Sequence, residues 1–164
     1  MSKAAQLLAE LEGRSLHLAV AESLTGGGLS GELTAPAGAS KIVLGAIVAY
    51  QTELKNELLG VSKSLLAESG AVDARVAAQM ASGVRTLLAQ KCAIAETSVI
   101  GVATSGVAGP TEQDGKPVGT VFIAIAGDGF ENQVLALELT GNREAIRSQT
   151  VDLAIDFLWE QFRP

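Results

Sequence analysis

The chain has 164 residues, of which 48% are hydrophobic and 18% are charged, and its formal net charge is −6. This length fits one domain, and the composition is typical of a compact α/β protein rather than a disordered chain. An acidic chain with only 4% aromatic residues and no lysine/arginine cluster is unsuited to neutralising phosphates or stacking bases, which predicts no nucleic-acid partner.

Membrane insertion and disulfide bonding are also disfavoured. The longest apolar runs have the length of strands and are too short to span a bilayer, so no membrane partner is expected. Met1–Gly13 is an amphipathic stretch of mixed charge without the apolar h-region of a secretory leader. The single cysteine, Cys92, excludes an internal disulfide and suits a reducing compartment. We therefore expect a cytoplasmic protein.

The first half of the chain alternates helical and strand patterns. Leucines and alanines at helical spacing predict a helix over residues 3–13. The next elements, in chain order, are predicted as a buried strand over Leu16–Ala21, a helix over Thr25–Thr34, a strand over Ile42–Tyr50, a helix over Thr52–Leu59 that ends at Gly60, and one further turn over Leu65–Glu68.

The second half continues the alternation and ends in a hairpin and a helix. Asp73 is predicted to cap a long helix, and Asn142 to cap the last one. Strands are predicted over Val99–Thr104, Val118–Ala126 and Gln133–Thr140, the last two forming an antiparallel hairpin. Helices before, between and after the strands imply a sheet covered on both faces, and the hairpin makes that sheet mixed. The sequence therefore predicts a single-domain, three-layer α/β/α fold with a mixed sheet.

The corner after the first strand is the most informative segment for chemistry. Glu22 and Ser23 end the apolar run, and the glycines Gly26–Gly28 follow shortly afterwards. A hydroxyl beside a helix N-terminus has free N–H donors and a favourable dipole nearby, which suits a nucleophile with its oxyanion, or a bound phosphate. The alternative is that Ser23 only caps the helix and that the glycines allow close packing. Neither Gly-x-Gly-x-x-Gly nor Gly-Lys-Ser/Thr is present, so the standard nucleotide motifs are weak.

A serine nucleophile needs an adjacent base. His17 is the only histidine, but it lies six residues before Ser23, a separation too long for the two side chains to meet along a strand, so we expect it to be structural. Lys55 is the better candidate, because it lies about one helical turn beyond the strand that ends in Tyr50. Burial would lower its pKa toward neutrality and make it a general base. The alternative is a solvated lysine on a helix surface.

Metal and cofactor sites are not indicated. One histidine and one cysteine, far apart in sequence, exclude a zinc site built on those ligands, and no paired Asp/Glu spacing indicates magnesium. No cofactor is therefore predicted.

Two further segments could contribute to a site. Ser105-Gly106 and Gly109-Pro110 follow a strand, where α/β sheets tend to bind ligands, although an ordinary turn is an equal alternative. Arg143 begins the last helix, where a guanidinium and backbone N–H groups could hold one phosphate; otherwise it is a surface arginine.

Taken together in this order, the motifs resemble those of the CinA C-terminal domain family, which includes stand-alone nicotinamide mononucleotide deamidases. The matching segments extend over nearly the whole chain: Ala21–Gly27, Gly45–Tyr50 with Lys55, Leu59–Val61, Gly70–Val72, Ser105–Pro110, Lys116–Val121 and Gly141–Arg143. The resemblance implies a homodimeric α/β enzyme that needs no metal and acts on a small nucleotide substrate. It would hydrolyse the carboxamide of nicotinamide mononucleotide to nicotinate mononucleotide and ammonia.

The resemblance also assigns residues by position. Ser23 corresponds to the nucleophile, Lys55 to its general base and Tyr50 to a residue supporting the pair. The substrate-binding positions are Glu22, Thr25, Gly26 and Gly27 around the oxyanion and ligand pocket, Ser105 and Gly106 in the second loop, and Arg143 at the ribose phosphate.

The chain departs from the family pattern at Gln51–Leu54, at Thr111–Gly115, which lacks the usual glycine pair, and at Asn142, where Asp is frequent. The loop change bears on substrate preference. Two other functions share the fold: a non-catalytic module that senses a nucleotide or binds a partner, and an amidase for another small amide.

Overall fold

Six α-helices and five strands make up the computed structural model, which describes all 164 residues. In chain order they are α1 (Lys3–Gly13), β1 (His17–Glu22), α2 (Gly28–Thr34), β2 (Val43–Val48), α3 (Thr52–Leu59), α4 (Lys63–Ser69), α5 (Ala74–Lys91), β3 (Val99–Gly106), β4 (Thr120–Ala126), β5 (Gln133–Glu138) and α6 (Arg143–Phe162). Short 3₁₀ turns at Ala39–Lys41 and Glu96–Ser98 precede β2 and β3. None of the helices combines the length and apolar character needed to cross a membrane.

The strands form one mixed sheet in the order β2-β1-β3-β4-β5. β1 pairs in parallel with both β2 and β3, whereas β4 and β5 add in antiparallel fashion. The carboxyl ends of β1, β2 and β3 therefore meet at one edge of the sheet. The chain leaves β1 toward β2 and later crosses to β3 on the other side, so the ends of β1 and β3 flank a topological switch point, where such sheets bind ligands.

The larger core lies between one face of the sheet and helices α1, α2 and α6. Alternate residues of each strand reach this face, as expected for the two-residue period of a strand. Leu18 and Val20 of β1 are fully buried there, together with Ile100 and Val102 of β3.

On the opposite face α5 packs on a layer of very small side chains. The strand residues beneath it are Ala19, Ala21, Gly101, Ala103, Ala124 and Ala126. A Cβ placed on Gly101 would lie 2.0 Å from the carbonyl oxygen of Ala81 in α5, so only glycine allows this helix to approach so closely. The same helix packs against both α3 and β1.

The predicted three-layer α/β/α architecture with a mixed sheet is confirmed. The helix predicted from Thr25 begins only at Gly28, because Gly26 and Gly27 have φ values of 58° and 97°, which are incompatible with a right-handed helix. The strand predicted to end at Tyr50 ends at Val48, which leaves Ala49 and Tyr50 in the loop before α3.

Candidate active site

A lysine and a serine meet at the carboxyl edge of the sheet. Ser23 follows β1 directly and Lys55 lies in the first turns of α3, 32 residues later. The Nζ atom of Lys55 lies 3.1 Å from the Oγ atom of Ser23 and donates a hydrogen bond to it. A second hydrogen bond of 2.8 Å runs from the same Nζ to the carbonyl oxygen of Ala49. The amine therefore has a fixed position beside the hydroxyl.

Burial changes the acidity of this lysine. Only 1% of Lys55 is exposed, and no carboxylate forms an ion pair with it. Desolvation lowers the pKa of Lys55 from 10.5 to about 8, and the negative charge of Glu53 offsets a part of this effect. With this pKa, about a tenth of the amine is uncharged at pH 7 and about half at pH 8, and the uncharged form is the one that a general base requires.

The parallel pairing of β1 and β2 explains how two distant residues meet. The ladder extends one step past the end of β2, because the N–H of Ala49 donates to the carbonyl of Glu22 at 2.9 Å. Ser23 and Ala49 therefore leave the sheet side by side. Since α3 begins at Thr52, its second turn carries Lys55 back over this point. The sequence analysis identified Lys55 but missed the carbonyl of Ala49 as its second partner.

The turn after Ser23 contains two backbone donors without partners. The N–H groups of Leu24 and Thr25 make no hydrogen bond within the chain, although these residues are only 4% and 1% exposed. An unpaired buried N–H costs about 1–3 kcal/mol and is rare in folded proteins. Two adjacent free donors beside a serine hydroxyl are the arrangement that an oxyanion needs.

The glycine amides expected at the oxyanion are occupied instead. The N–H of Gly26 donates to the carbonyl of Ser23 at 3.1 Å, and that of Gly27 donates to Glu22 Oε2 at 3.0 Å. The two glycines thus shape the turn, and their backbone donors are not free. Correcting the expectation, the free donors are those of Leu24 and Thr25.

Glu22 was expected to bind the substrate, but its carboxylate lies elsewhere. Its fully buried carboxylate accepts hydrogen bonds from the N–H groups of Gly27, Leu29 and Ser30 at 2.8–3.0 Å. It therefore satisfies the free donors of the first turn of α2. The N-terminus of this helix is closed by an internal anion and does not face the cavity.

Two predicted hydroxyl groups also point into the protein. Thr25 Oγ1 shares a 2.8 Å hydrogen bond with Thr104 Oγ1 beneath the turn. Ser105 Oγ donates to the carbonyl of Ala71 at 2.7 Å and is 1% exposed. Neither side chain lines the cavity, so the structure places both hydroxyls in supporting positions behind it.

A cavity of about 310 Å³ opens above Ser23. The residues lining it come from the loops after β1, β2 and β3, the segment before α5 and the start of α6: Ser23, Leu24, Tyr50, Ala71, Val72, Gly106, Val107, Ala108, Gly109, Thr111, Glu112, Gln113 and Arg143. The loop from Thr111 that departs from the family pattern is therefore part of the wall. The volume is at the lower end of the range of small-molecule sites.

Tyr50 and Arg143 meet at the mouth of this cavity. One guanidinium nitrogen of Arg143 donates to Tyr50 Oη, and the other to the carbonyl of Gly109, both at 2.7 Å. Tyr50 was expected to support the serine–lysine pair, but its hydroxyl makes no hydrogen bond to Ser23 or Lys55. The structure joins it to Arg143 instead. Arg143 is exposed and keeps further N–H donors for a ligand.

One more charged residue near the turn escaped the sequence analysis. Arg147 of α6 donates from Nε to the carbonyl of Leu24 and from Nη2 to that of Thr25, both at 2.9 Å. It follows Arg143 by four residues and so shares its side of the helix, which is the signal that could have identified it. No group of three or more His, Cys, Asp or Glu side chains is arranged to hold a metal ion.

The geometry defines a class of α/β proteins in which a buried amine contacts a serine hydroxyl at the switch point of the sheet. The chain belongs to the CinA C-terminal domain family, because the model of that family matches residues 1–162.

Relatives and solved structures agree with this assignment. A CinA-like protein of Frankia casuarinae is 48% identical over 146 residues, which cover 88% of this chain and 31% of the relative. A putative competence-damage inducible protein of Shouchella clausii is 42% identical over 93% of this chain and 35% of its own length. The chain thus spans roughly one third of these curated relatives.

Among solved structures, the CinA superfamily protein of Enterobacter cloacae superposes with a TM-score of 0.88 at 28% identity, over 98% of this chain and 90% of that one. The superfamily protein of Escherichia coli gives a TM-score of 0.85 at 30% identity, over 97% and 88% of the two chains. The fold is therefore that of the CinA superfamily over nearly its full length.

Proposed function

We propose that this chain hydrolyses the carboxamide of nicotinamide mononucleotide to nicotinate mononucleotide and ammonia, with Ser23 as nucleophile and Lys55 as general base. The observation that carries the proposal is the 3.1 Å hydrogen bond between Lys55 Nζ and Ser23 Oγ, made by a buried lysine whose pKa is lowered to about 8. Membership of the CinA C-terminal domain family supports the choice of substrate. The single free cysteine, Cys92, supports the cytoplasm as the place of reaction.

The first half-reaction forms an ester. Neutral Lys55 accepts the hydroxyl proton of Ser23 as Oγ attacks the amide carbon, and the carbonyl oxygen becomes an oxyanion. The N–H groups of Leu24 and Thr25 donate to this oxyanion, and each such donor is worth roughly 3–4 kcal/mol of transition-state stabilisation in comparable enzymes. The carbon–nitrogen bond then breaks, the lysine proton passes to the leaving nitrogen, and ammonia departs from a nicotinoyl ester on Ser23.

The second half-reaction removes the ester with water. Lys55 is neutral again after ammonia has left, and it takes a proton from the water that attacks the ester carbon. The same donors hold the second oxyanion. When the carbon–oxygen bond breaks, the proton returns to Ser23 Oγ and the carboxylate product is released. The sum is amide plus water giving carboxylic acid plus ammonia, with the catalyst unchanged.

Arg143 would bind the phosphate of the nucleotide. It lies at the cavity mouth and is oriented by Tyr50 and by the carbonyl of Gly109, while its remaining donors face solvent. A guanidinium with free N–H groups suits a phosphate, and such charge-assisted hydrogen bonds contribute about 1.5–3 kcal/mol. We expect Arg143→Ala to raise KM for the mononucleotide at least tenfold, and to change KM for the phosphate-free nucleoside little.

The test is ammonia release by the purified protein from nicotinamide mononucleotide, its nucleoside, free nicotinamide and glutamine. We expect turnover of the mononucleotide above the other three, and its loss by a factor of about 10⁴ or more in Ser23→Ala and Lys55→Met. Lys63→Met is the matched control, because Lys63 is an exposed lysine on the neighbouring helix α4. Full activity of Ser23→Ala would refute the mechanism. Turnover of another amide alone would refute the substrate, and binding without turnover would indicate a sensing module.

We also propose that two copies of the chain pair through the open edge of the sheet at β2. The family resemblance implies a homodimer, and the exposed apolar side chains Val48, Leu54 and Leu58 lie on β2 and on the adjoining α3. Leu54 and Leu58 are four residues apart and so share one helix face. An apolar edge strand left open invites pairing, which a second copy would provide.

A further inference from the structure

Arg147 of helix α6 donates hydrogen bonds to two backbone carbonyl groups of the Ser23–Gly26 turn. We propose that Arg147 is a positioning residue for catalysis: by holding the carbonyl groups of the turn, it keeps the N–H of Thr25 directed at the oxyanion formed on the substrate. This inference rests on the proposed function in one respect, the use of Ser23 as a nucleophile. It does not depend on which amide is the natural substrate.

The contacts of Arg147 are specific to the turn. Its Nε donates to the carbonyl of Leu24 and its Nη2 to the carbonyl of Thr25, each at 2.9 Å. The guanidinium is part-buried and forms no ion pair with any acidic residue. All of its hydrogen bonds are therefore made to two successive backbone carbonyl groups in the loop that follows the serine.

Because the peptide bond is planar, a hydrogen bond to the carbonyl group of one residue also fixes the direction of the N–H group of the next. In a trans peptide the carbonyl and the N–H point in opposite directions, and the only cis bond in the chain is Gly109-Pro110. Fixing the carbonyl of Leu24 toward Arg147 thus directs the N–H of Thr25 away from it. The hydrogen bond from Gly26 N–H to the carbonyl of Ser23 does the same for the N–H of Leu24. Both peptide planes are held, and both donors stay free.

The glycine after Thr25 gives the arginine room. A Cβ on Gly26 would lie 3.3 Å from Arg147 Nη2, and the residue has a φ of 58°, in the left-handed region. A side chain at this position would be strained and would crowd the guanidinium. The glycine that first suggested a phosphate loop is thus explained by the turn geometry and by the approach of Arg147.

Arg85 provides a matched control. It also donates to two backbone carbonyl groups, from Nε to Val99 at 2.8 Å and from Nη2 to Glu96 at 2.9 Å. These contacts lie at the amino end of β3, the end of the strand opposite to the cavity. Arg85 also forms an ion pair with Glu96 at 3.3 Å, so Arg85→Met removes the same kind of backbone contacts together with a salt bridge, and it leaves the reacting groups untouched.

The experiment compares Arg147→Met, Arg147→Lys and Arg85→Met in two assays. The first is steady-state ammonia release from nicotinamide mononucleotide. We expect Arg147→Met to lower kcat roughly 10²-fold, the loss typical of one oxyanion donor, with KM and the pH midpoint of kcat/KM unchanged. Arg147→Lys, which can hold one carbonyl group, should recover part of kcat, and Arg85→Met should retain it.

The second assay does not need the natural substrate. A fluorophosphonate reacts at activated serines and places its phosphoryl oxygen where the oxyanion would lie, and intact-mass spectrometry gives the rate of labelling at Ser23. We expect Arg147→Met to slow this labelling by a factor similar to that of kcat, while Arg85→Met labels at the wild-type rate.

The outcomes separate the two proposals. Slowed labelling of Arg147→Met in a protein that does not deamidate the mononucleotide would leave this inference standing and overturn the proposed substrate. Equal labelling and equal kcat in wild type and Arg147→Met would overturn the inference and leave the serine–lysine mechanism. An increase in KM alone, or equal losses in Arg147→Met and Arg85→Met, would also overturn it. A wild-type Ser23 that does not react at all would overturn both.

Discussion

Lys55 is the residue on which the chemistry of this chain depends, and its burial has a cost that can be measured. In the folded protein the pKa of Lys55 is about 8, whereas in the unfolded chain it has the ordinary value of 10.5. The fold therefore disfavours the ammonium form. Between these two values the unfolded state binds more protons than the folded state, so stability must rise with pH. Well below pH 8 the lysine is protonated in both states, and the full cost of burying the charge is present.

We therefore predict that the free energy of unfolding of the wild type, relative to Lys55→Met, increases by about 3 kcal/mol as the pH rises from about 8 to 10.5. Urea titrations of both proteins at several pH values measure this difference, because the other titrating groups are common to both and cancel. A constant difference over this range would mean that Lys55 has an ordinary pKa in the fold.

At the residue scale, the sequence identified the candidate side chains more accurately than it predicted the role of each one. The pairing of Ser23 with Lys55 was expected, and the structure brings these two together at hydrogen-bonding distance. Glu22 was expected at the substrate, yet its carboxylate closes the N-terminus of α2. The orientation of a carboxylate or an amide depends on which donors the tertiary fold brings near it, and neighbours in sequence do not reveal that.

Helix α3 carries Lys55, and its position depends on a close contact with α5. A Cβ on Gly83 of α5 would lie 1.9 Å from the carbonyl oxygen of Leu59, the last residue of α3. No side chain fits in this space, so the two helices would have to separate. Because Lys55 lies one turn before Leu59, such a displacement would move the amine relative to Ser23.

We predict that Gly83→Ala lowers the free energy of unfolding by about 1–3 kcal/mol, although alanine has the higher helix propensity, and that it lowers kcat as well. Gly31→Ala is the control, because Gly31 lies in helix α2 with nothing within 4 Å of the added Cβ. It should raise stability by up to about 1 kcal/mol and leave kcat unchanged. Thermal unfolding with activity assays tests both, and a fully stable, fully active Gly83→Ala would contradict the account of this contact.

At the element scale the sequence was informative because local signals and tertiary structure agree. The helix over Thr52–Leu59 was predicted with its observed bounds, and Asp73 and Asn142 cap helices as expected, each accepting a backbone N–H. The error at the start of α2 arose from Gly26 and Gly27, whose left-handed backbone is not encoded by the helical pattern around them. The short turns at Ala39–Lys41 and Glu96–Ser98 have no periodicity and were missed.

At the scale of the whole molecule, the candidate active site exists because of the order of the strands in the sheet. Placing β1 between β2 and β3, all parallel, gathers three loops at one edge and leaves the cavity between them. Alternating elements in the sequence predict the layers, but strand order depends on long-range pairing, which no local pattern specifies. The rule that α/β sheets bind ligands beyond the carboxyl ends of their strands suggested that the loop after β3 meets the loop after β1, and the family resemblance assigned residues in both loops.

The proposed pairing of two chains involves the lateral edge of the sheet, which is formed by β2. We predict a dimer for the wild type by light scattering at micromolar concentration, and a monomer for Leu58→Glu, which would place like charges in the interface. Val134→Glu is the control, because Val134 is an exposed apolar residue on β5, the opposite edge. A monomeric wild type would contradict the proposal, and dissociation by Val134→Glu alone would move the interface to the other edge.

The central claim is that an uncharged Lys55 removes the proton of Ser23. The pH dependence of kcat/KM for ammonia release tests it most directly, because the free enzyme is active only in the fraction with neutral lysine. The account predicts that kcat/KM rises with pH through a single ionisation near 8 and levels off above it, following the lowered pKa of Lys55. A profile that is flat across this range, or that rises only near 10.5, the ordinary pKa of a lysine, would contradict it.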